Sequence, residues 1–357
     1  MRKKVNLTIA TDIKGKGGIS TVLTVYEKFG FFDDNAVKFI ATHTNNIIFG
    51  NVGAFIFYAF ALIRILYCFV FFRIGLVHIH LASRGSYLRK SFIVRFAKFF
   101  KAKVIVHLHG AEFRQFYSNE CDEAKRKHIR KTFDMADVVI VLSTQWHAWI
   151  TSIMKEPSRA HVVYNAVPKL SLSRDNVESG NILFLGRLGK RKGVDDLINA
   201  FVLVREKVSH AKLLLGGDGD ISYYKSFVEQ LGLQESVEFL GWVSGDQKLN
   251  CLSKADIYTL PSYNEGFPMG VLEAMSAHLP IVASKAGGIP DAITSGEEGV
   301  LIDAGDMPAL AEALVDLLTD VEKKQHFAER ASAKYNNSFS PDVIFPQLGQ
   351  IYADLLK

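Results

Sequence analysis

The chain has 357 residues, 48% of them hydrophobic, which is the make-up of a soluble globular protein too long for a single core and so predicts two domains. Three cysteines, Cys68, Cys121 and Cys251, are widely spaced and odd in number, which excludes a disulfide framework or a cysteine metal site and points to a reducing compartment. The net charge of +5 divides unevenly: residues 1–165 hold 24 Lys+Arg against 11 Asp+Glu and the remainder 18 against 26, so a basic half precedes an acidic one.

The opening MRKKVNLTIATD has a basic tip and too few apolar residues before Asp12 for a signal peptide, and predicts a first strand over 5–10. The loop Lys14-Gly15-Lys16-Gly17-Gly18 then leads into a helix near Ile19. Such a turn lets backbone N–H groups approach a phosphate or sugar, although its spacing is not G-x-G-x-x-G and a plain tight turn reads equally well. Residues 52–72 are the most apolar run, long enough to span a bilayer but interrupted by Arg64. A helix pressed on a sheet is the expectation there, with an interfacial or partner-contacting helix as the alternative. In residues 86–101, Leu88, Phe92, Phe96 and Phe99 recur at helical spacing and Lys90, Lys98 and Lys101 fall opposite, with seven basic residues and no acid from Arg84 to Lys103. That helix either lies against an anionic membrane surface or packs on the core with a solvated basic face. Taken with the basic half, it favours a membrane-associated acceptor over nucleic acid, for which no zinc-finger spacing or RNP-like run is present. The strand 103–109 places His109 at its carboxyl end beside Gly110, where α/β sheets hold ligands, whereas His78, His80 and His107 read as core or edge histidines. Strands over 135–143 and 162–167 close this half, and the polar stretch 168–179 is the linker.

The second half predicts strands at 181–185, 211–215, 236–240, 257–260, 280–283 and 299–302, with helices such as 193–208 and 222–231 between them. That alternation makes a parallel sheet covered on both faces. After its first strand, Gly186-Arg187-Leu188-Gly189-Lys190-Arg191-Lys192-Gly193 sets cations on a glycine loop at a helix start, which is an anion site or merely a solvated basic loop. Asp218-Gly219-Asp220 is a D-x-D triplet of the kind that can hold a divalent metal, but with cations already present for a diphosphate no metal is expected. In residues 257–274, IYTLPSYNEGFPMGVLEA, a short strand meets a Pro- and Gly-rich loop and a new helix. Glu265 on the loop and Glu273 on the helix can both reach one crevice at the strand's carboxyl end. The loop N–H groups and helix N-terminus suit a diphosphate and the two carboxylates suit hydroxyls, which together describe a nucleotide-sugar. The plain alternative is one loop acid and one first-turn acid. Ile344, Leu348, Ile351 and Leu355 predict a last helix within 341–357.

E-x7-E, with G-F-P following the first Glu, resembles the signature of the retaining GT-B glycosyltransferases, specifically glycosyltransferase family 4. Residues 186–193 look like that family's G-R-L-x-x-x-K-G, 213–220 like its G-x-G-P turn, and 286–291 like its G-G-x-P-E with Asp291 in place of Glu. Asn165-Ala166 stands where the family commonly has Asn-Gly. The resemblance spans nearly the whole chain and is specific mainly in 181–295. It implies an α/β GT-B fold of two facing Rossmann-like, doubly wound parallel-sheet domains. These would be an acceptor-binding domain over 1–167, the linker 168–179, a nucleotide-sugar domain over 180–340, and a helix over 341–357 crossing back to the first domain.

By resemblance, Arg187 and Lys192 hold the donor diphosphate, Glu265 orients the sugar hydroxyls and Glu273 the ribose. Gly186, Gly266, Phe267, Pro268, Met269 and Gly270 surround the donor, Trp242 and Val243 meet the nucleobase, and Gly17, Gly18 and His109 face the transferred sugar. Glu265, His109, Arg187 and Lys192 are the expected catalytic residues, with no metal or cofactor beyond the nucleotide-sugar. The implied activity is retaining transfer from a UDP-sugar to a lipid-linked or polysaccharide-precursor acceptor for the cell surface, in the cytoplasm at the inner face of the membrane. Two other classes stand beside it. A non-catalytic sugar-nucleotide-binding regulatory subunit would use the same residues, and an NAD(P) oxidoreductase would need a glycine spacing and a ribose-binding acid that are not seen.

Overall fold

The computed structural model describes residues 3–44 and 50–357, so the basic tip at residues 1 and 2 lies outside the described residues. The chain divides into unit 1, Met1–Ala166 with Pro341–Lys357, and unit 2, Val167–Ser340.

Unit 1 is built on a six-stranded parallel sheet in the order β2-β1-β3-β4-β5-β6, from β1 (Lys4–Ala10), β2 (Val37–Ala41), β3 (Arg73–Leu81), β4 (Lys103–Leu108), β5 (Val138–Val141) and β6 (Ala160–Val162). Its helices include α1 (Gly18–Lys28), α2 (Gly50–Phe71) and α3 (Gly85–Phe99). Successive strand side chains point to opposite faces. On one face Leu7, Ile9, Val77, Ile79, Val104 and Val106 join Ala61, Ile65 and Cys68 of α2 and Tyr87, Ile93 and Val94 of α3 in one apolar core. The residues between them on the strands, Thr8, His78, His80 and His107, are buried as well and belong to the other face.

Two strands are shorter than their apolar runs. Over 135–143 only Val138–Val141 is strand, because Met135 ends the preceding helix and the Asp137 carboxylate is drawn to Val104 N at 2.7 Å and Lys98 Nζ at 2.8 Å. The strand expected at 162–167 is instead Ala160–Val162; Val163 N makes a last ladder bond to Val141 O at 3.0 Å and the chain then leaves the sheet.

The expected basic face of 86–101 is also corrected. Lys90 is 1% exposed, donates to Ser86 Oγ at 3.0 Å, and burial pushes its ammonium down to about 7. Lys98 is taken up by Asp137, and Lys101 lies beyond the end of α3. Leu88, Phe92 and Phe99 are instead exposed, by 57%, 53% and 80%. Helical periodicity separates the two stripes, but the stripe that meets the sheet is the one carrying Tyr87, Lys90, Val94 and Ala97. Similarly α2 buries Ala61, Ile65 and Cys68 fully in the core and packs Tyr58, Leu62 and Phe69 against it in part.

Unit 2 carries the second six-stranded parallel sheet, in the order β12-β11-β10-β7-β8-β9. Its strands are β7 (Asn181–Leu185), β8 (Lys212–Gly216), β9 (Val237–Gly241), β10 (Ile257–Leu260), β11 (Ile281–Ser284) and β12 (Gly299–Ile302). α4 (Val194–Lys207) follows β7 and α5 (Met269–Ser276) follows β10. The first strand, β7, sits inside the sheet: β8 and β9 extend it on one side, β10, β11 and β12 on the other. The chain therefore reverses direction across the sheet between β7 and β10, and open α/β sheets bind ligands outside the carboxyl end of such a reversal. The last helix, α6 (Pro341–Leu356), returns to unit 1, with Ile344, Leu348 and Tyr352 buried.

Candidate active site

The loops leaving β7 and β10 meet at this reversal. Residues 190–192 form a single 3-10 turn, closed by Gly193 at φ 68 before α4 begins. A Cβ on Gly193 would lie 2.1 Å from Pro261 O, so only glycine lets the two loops come this close. Tyr263 N donates to Arg191 O at 2.9 Å, and Arg191 Nη1 donates to Asn264 O at 2.8 Å. Across the β7–β8 edge, Gly186 N donates to Gly216 O at 2.8 Å and Leu188 N to Asp218 O at 2.6 Å. The basic loop is thus fastened on both sides by backbone.

Each of the two acids is buried and carries a lysine. Glu265 is 5% exposed; its Oε1 accepts from Lys192 Nζ at 2.5 Å and from Ser262 Oγ at 2.7 Å. Glu273 is 8% exposed, and its Oε1 accepts from Lys248 Nζ at 2.6 Å, a lysine on the helix Gly245–Lys254. Between them lies Tyr258 of β10, fully buried, its phenol pushed well above its usual range by burial first and then by Glu273 and Glu265. Tyr258 Oη reaches under the start of α5, where a Cβ on Gly270 would come within 2.3 Å of it. Gly266, Phe267 and Pro268 are buried, while Met269 and Gly270 at the N-terminus of α5 are half-exposed. The loop after β11 braces this segment, Gly288 N donating to Gly266 O at 2.9 Å.

Unit 2 therefore gathers Gly186, Lys192, Glu265, Gly266, Phe267, Pro268, Met269, Gly270 and Glu273 at one end of its sheet. Arg187 is exposed on the basic loop and enters none of the ion pairs found among the described residues. Trp242 is exposed just after β9, and Val243 stands beside Gly216. Asp220 of the D-x-D triplet caps a helix, accepting from Tyr223 N at 3.1 Å, and Asp218 contributes its backbone carbonyl to the basic loop. Ser262, Lys248 and Tyr258 were not singled out from sequence: two are partners that only tertiary packing assigns, and the third reads as an ordinary strand aromatic.

Gly17, Gly18 and His109 belong to unit 1. Gly17 and Gly18 are exposed at the start of α1, after the first strand. His109 follows β4, and its Nε2 lies 2.8 Å from His80 Nδ1. His80 pairs in register with His107, so His78, His80, His107 and His109 from two adjacent strands share one face. His78 is engaged at both nitrogens, Nδ1 at 2.8 Å from Tyr352 Oη on α6 and Nε2 at 3.2 Å from His107 Nδ1. Burial, then neighbouring His78 and Lys90, push His109 down to about 3, and burial takes His78 to about 3. His80 and His107 are lowered likewise. Nitrogens of His78, His80 and His107 lie within 4.8 Å of one another, but with His78 committed at both ends they form a neutral column of packed rings, hydrogen-bonded as the pairs His78–His107 and His80–His109.

Two Rossmann-like α/β units, one with a basic loop and a pair of buried acids at its strand reversal, form the GT-B architecture. Sucrose-phosphate synthase from Thermosynechococcus elongatus superposes over 98% of this chain and 99% of its own, with a TM-score of 0.79 at 19% identity. Anabaena HepE, solved in complex with UDP and glucose, covers 98% and 100% with a TM-score of 0.75 at 19% identity. Residues 173–334 match the family described as glycosyl transferases group 1. Among curated relatives, the N-acetyl-alpha-D-glucosaminyl L-malate synthase of Bacillus anthracis is 29% identical over 299 residues, covering 80% of this chain and 76% of that protein. Unit 2 is therefore similar to the group 1 glycosyltransferases over residues 173–334, and the chain as a whole has the GT-B fold.

Proposed function

We propose that this glycosyltransferase is a retaining family 4 enzyme that takes a sugar from a UDP-sugar and passes it to a lipid-linked or polysaccharide-precursor acceptor for the cell surface. The observation that carries the donor assignment is the Lys192–Glu265 pair, 2.5 Å apart and largely withdrawn from water, on a loop that also presents Arg187. Breaking a sugar–phosphate bond develops oxocarbenium character on the sugar and negative charge on the departing diphosphate. Arg187, Lys192 and the N-terminus of α5 meet that charge without reorganising, and this kind of preorganised electrostatics is usually the largest catalytic term. No metal is required for the same task.

Glu265, held by Lys192 and Ser262, orients the sugar hydroxyls, and Glu273, held by Lys248, the ribose. Trp242 and Val243 border the nucleobase. From unit 1, Gly17, Gly18 and the neutral His109 are assigned to the transferred sugar, His109 offering a hydrogen bond rather than a charge. Retention follows if the acceptor hydroxyl attacks from the face the diphosphate leaves, its proton passing to the departing phosphate oxygen. UDP is favoured by HepE, whose structure holds UDP and glucose.

The test is a donor panel of UDP-, GDP- and ADP-sugars incubated with the purified protein and with Glu265→Gln, reading slow donor hydrolysis. Hydrolysis of one donor that the variant loses supports the reading and names the sugar. Saturable binding to none of them would sink it.

A further inference from the structure

The largest feature left unused by the transfer chemistry is the outer surface of α2 and α3. Of the nineteen large hydrophobic residues exposed in the described structure, thirteen lie between Val52 and Phe100. They include Phe55, Phe60, Ile63 and Tyr67 on α2 and Phe92 and Phe99 on α3. The two helices are neighbours: Tyr58 Oη donates to Arg89 O at 2.7 Å, and the rings of Phe69 and Phe96 are 5.4 Å apart. Their outward residues therefore form one patch. A contiguous apolar surface of this kind is rare on a protein that meets only water.

Charge identifies what covers it. From residue 35 to residue 111 the sequence has ten Lys+Arg and no Asp or Glu. Arg64 and Arg73 on or just after α2, and Lys101 and Lys103 just after α3, are exposed. Asp137 neutralises Lys98, and Glu112 and Glu120 neutralise Arg84, but Arg64, Arg73, Lys101 and Lys103 enter no ion pair among the described residues. An apolar patch flanked by such cations fits the boundary between acyl chains and anionic headgroups.

The helix α2 is long enough to cross a bilayer, but Ala61, Ile65 and Cys68 tie it to the core of unit 1 and β3 begins at Arg73, just past its end. It therefore lies along the unit, parallel to the surface it would enter.

We propose that α2 and α3 together form a bilayer-inserting face, through which unit 1 docks on an anionic phospholipid leaflet with α2 in the plane of the interface. The apolar side chains enter the acyl region while Arg64, Arg73, Lys101 and Lys103 reach the headgroups. The docking is independent of which sugar is transferred, so its failure and the failure of the donor assignment are separate results.

The test uses the full chain floated with vesicles of phosphatidylcholine alone and of phosphatidylcholine with phosphatidylglycerol, at low and high salt. The expected result is flotation with the anionic vesicles, weakened at least tenfold in Phe55→Ser/Phe60→Ser/Phe92→Ser, whose thermal melt should stay near that of the parent because the residues are exposed. Arg64→Gln/Arg73→Gln/Lys101→Gln should keep residual binding and lose the preference for anionic lipid. Failure of the parent chain to float with anionic vesicles, or equal flotation of the serine variant, overturns the proposal. So does a parent dimer that the serine substitutions convert to monomer without altering flotation, since the face would then join two copies of the chain.

Discussion

Glu265 and Lys192 are coupled as a pair, so their single and double substitutions should separate stability from catalysis. Lys192→Met leaves Glu265 buried without its counter-charge, and breaking such a pair costs about 3–5 kcal/mol. The double variant Lys192→Met/Glu265→Gln should recover most of that loss in urea denaturation, yet stay inactive. Glu265→Gln alone keeps the size and hydrogen-bond reach of the side chain, and a drop of about 10²- to 10³-fold in kcat is expected, the usual effect of removing one preorganised polar group. The histidine column makes a second residue-scale prediction. His78 and His109 are held down to about 3 against a usual value of 6.5, so the folded state binds fewer protons than the unfolded chain between those limits. Their contribution to stability is complete above about 6.5 and is lost as pH falls toward 3. Urea midpoints measured from pH 7 to 5, above the range where ordinary carboxylates titrate, should fall with pH; a flat profile would contradict the neutral column.

At the scale of elements, the glycines between loops decide whether the site can form. Gly193→Ala places a methyl 2.1 Å from Pro261 O at a left-handed backbone position, and Gly270→Ala places one 2.3 Å from Tyr258 Oη. Each should cost about 1–3 kcal/mol, the range for forced overpacking, read as a lowered urea midpoint. Gly189→Ala, with open space around it, is the control for losing a glycine from the same loop. The E-x7-E segment and the basic loop were legible in the sequence because each is one local strand–loop–helix unit whose residue types state their own chemistry. Lys248 was not, because its link to Glu273 joins two helices distant in sequence. The two stripes of α3 were legible as stripes, but periodicity alone does not say which one meets the sheet. The outcome, Lys90 inside and Phe99 outside, depends on a surface the usual polar-outward rule does not describe.

For the molecule as a whole, the proposed function puts donor binding in unit 2, at the reversal between β7 and β10, and the acceptor and the membrane on unit 1. That each half holds a parallel sheet was readable from strand–helix alternation, since a parallel sheet requires a crossover between strands, but the edge strand β2 (Val37–Ala41) was not singled out. The return of α6 to unit 1 followed only from the resemblance, because the helical spacing of Ile344 and Leu348 names no destination. The most direct test of the central claim is calorimetric titration of UDP into the parent protein, Lys192→Ala and Glu273→Ala. The account predicts one saturable site in the parent and a dissociation constant raised about tenfold or more in each variant, matching the roughly 1.5–3 kcal/mol expected of a charged hydrogen bond. Unchanged affinity in both folded variants would contradict it and move the donor away from this crevice.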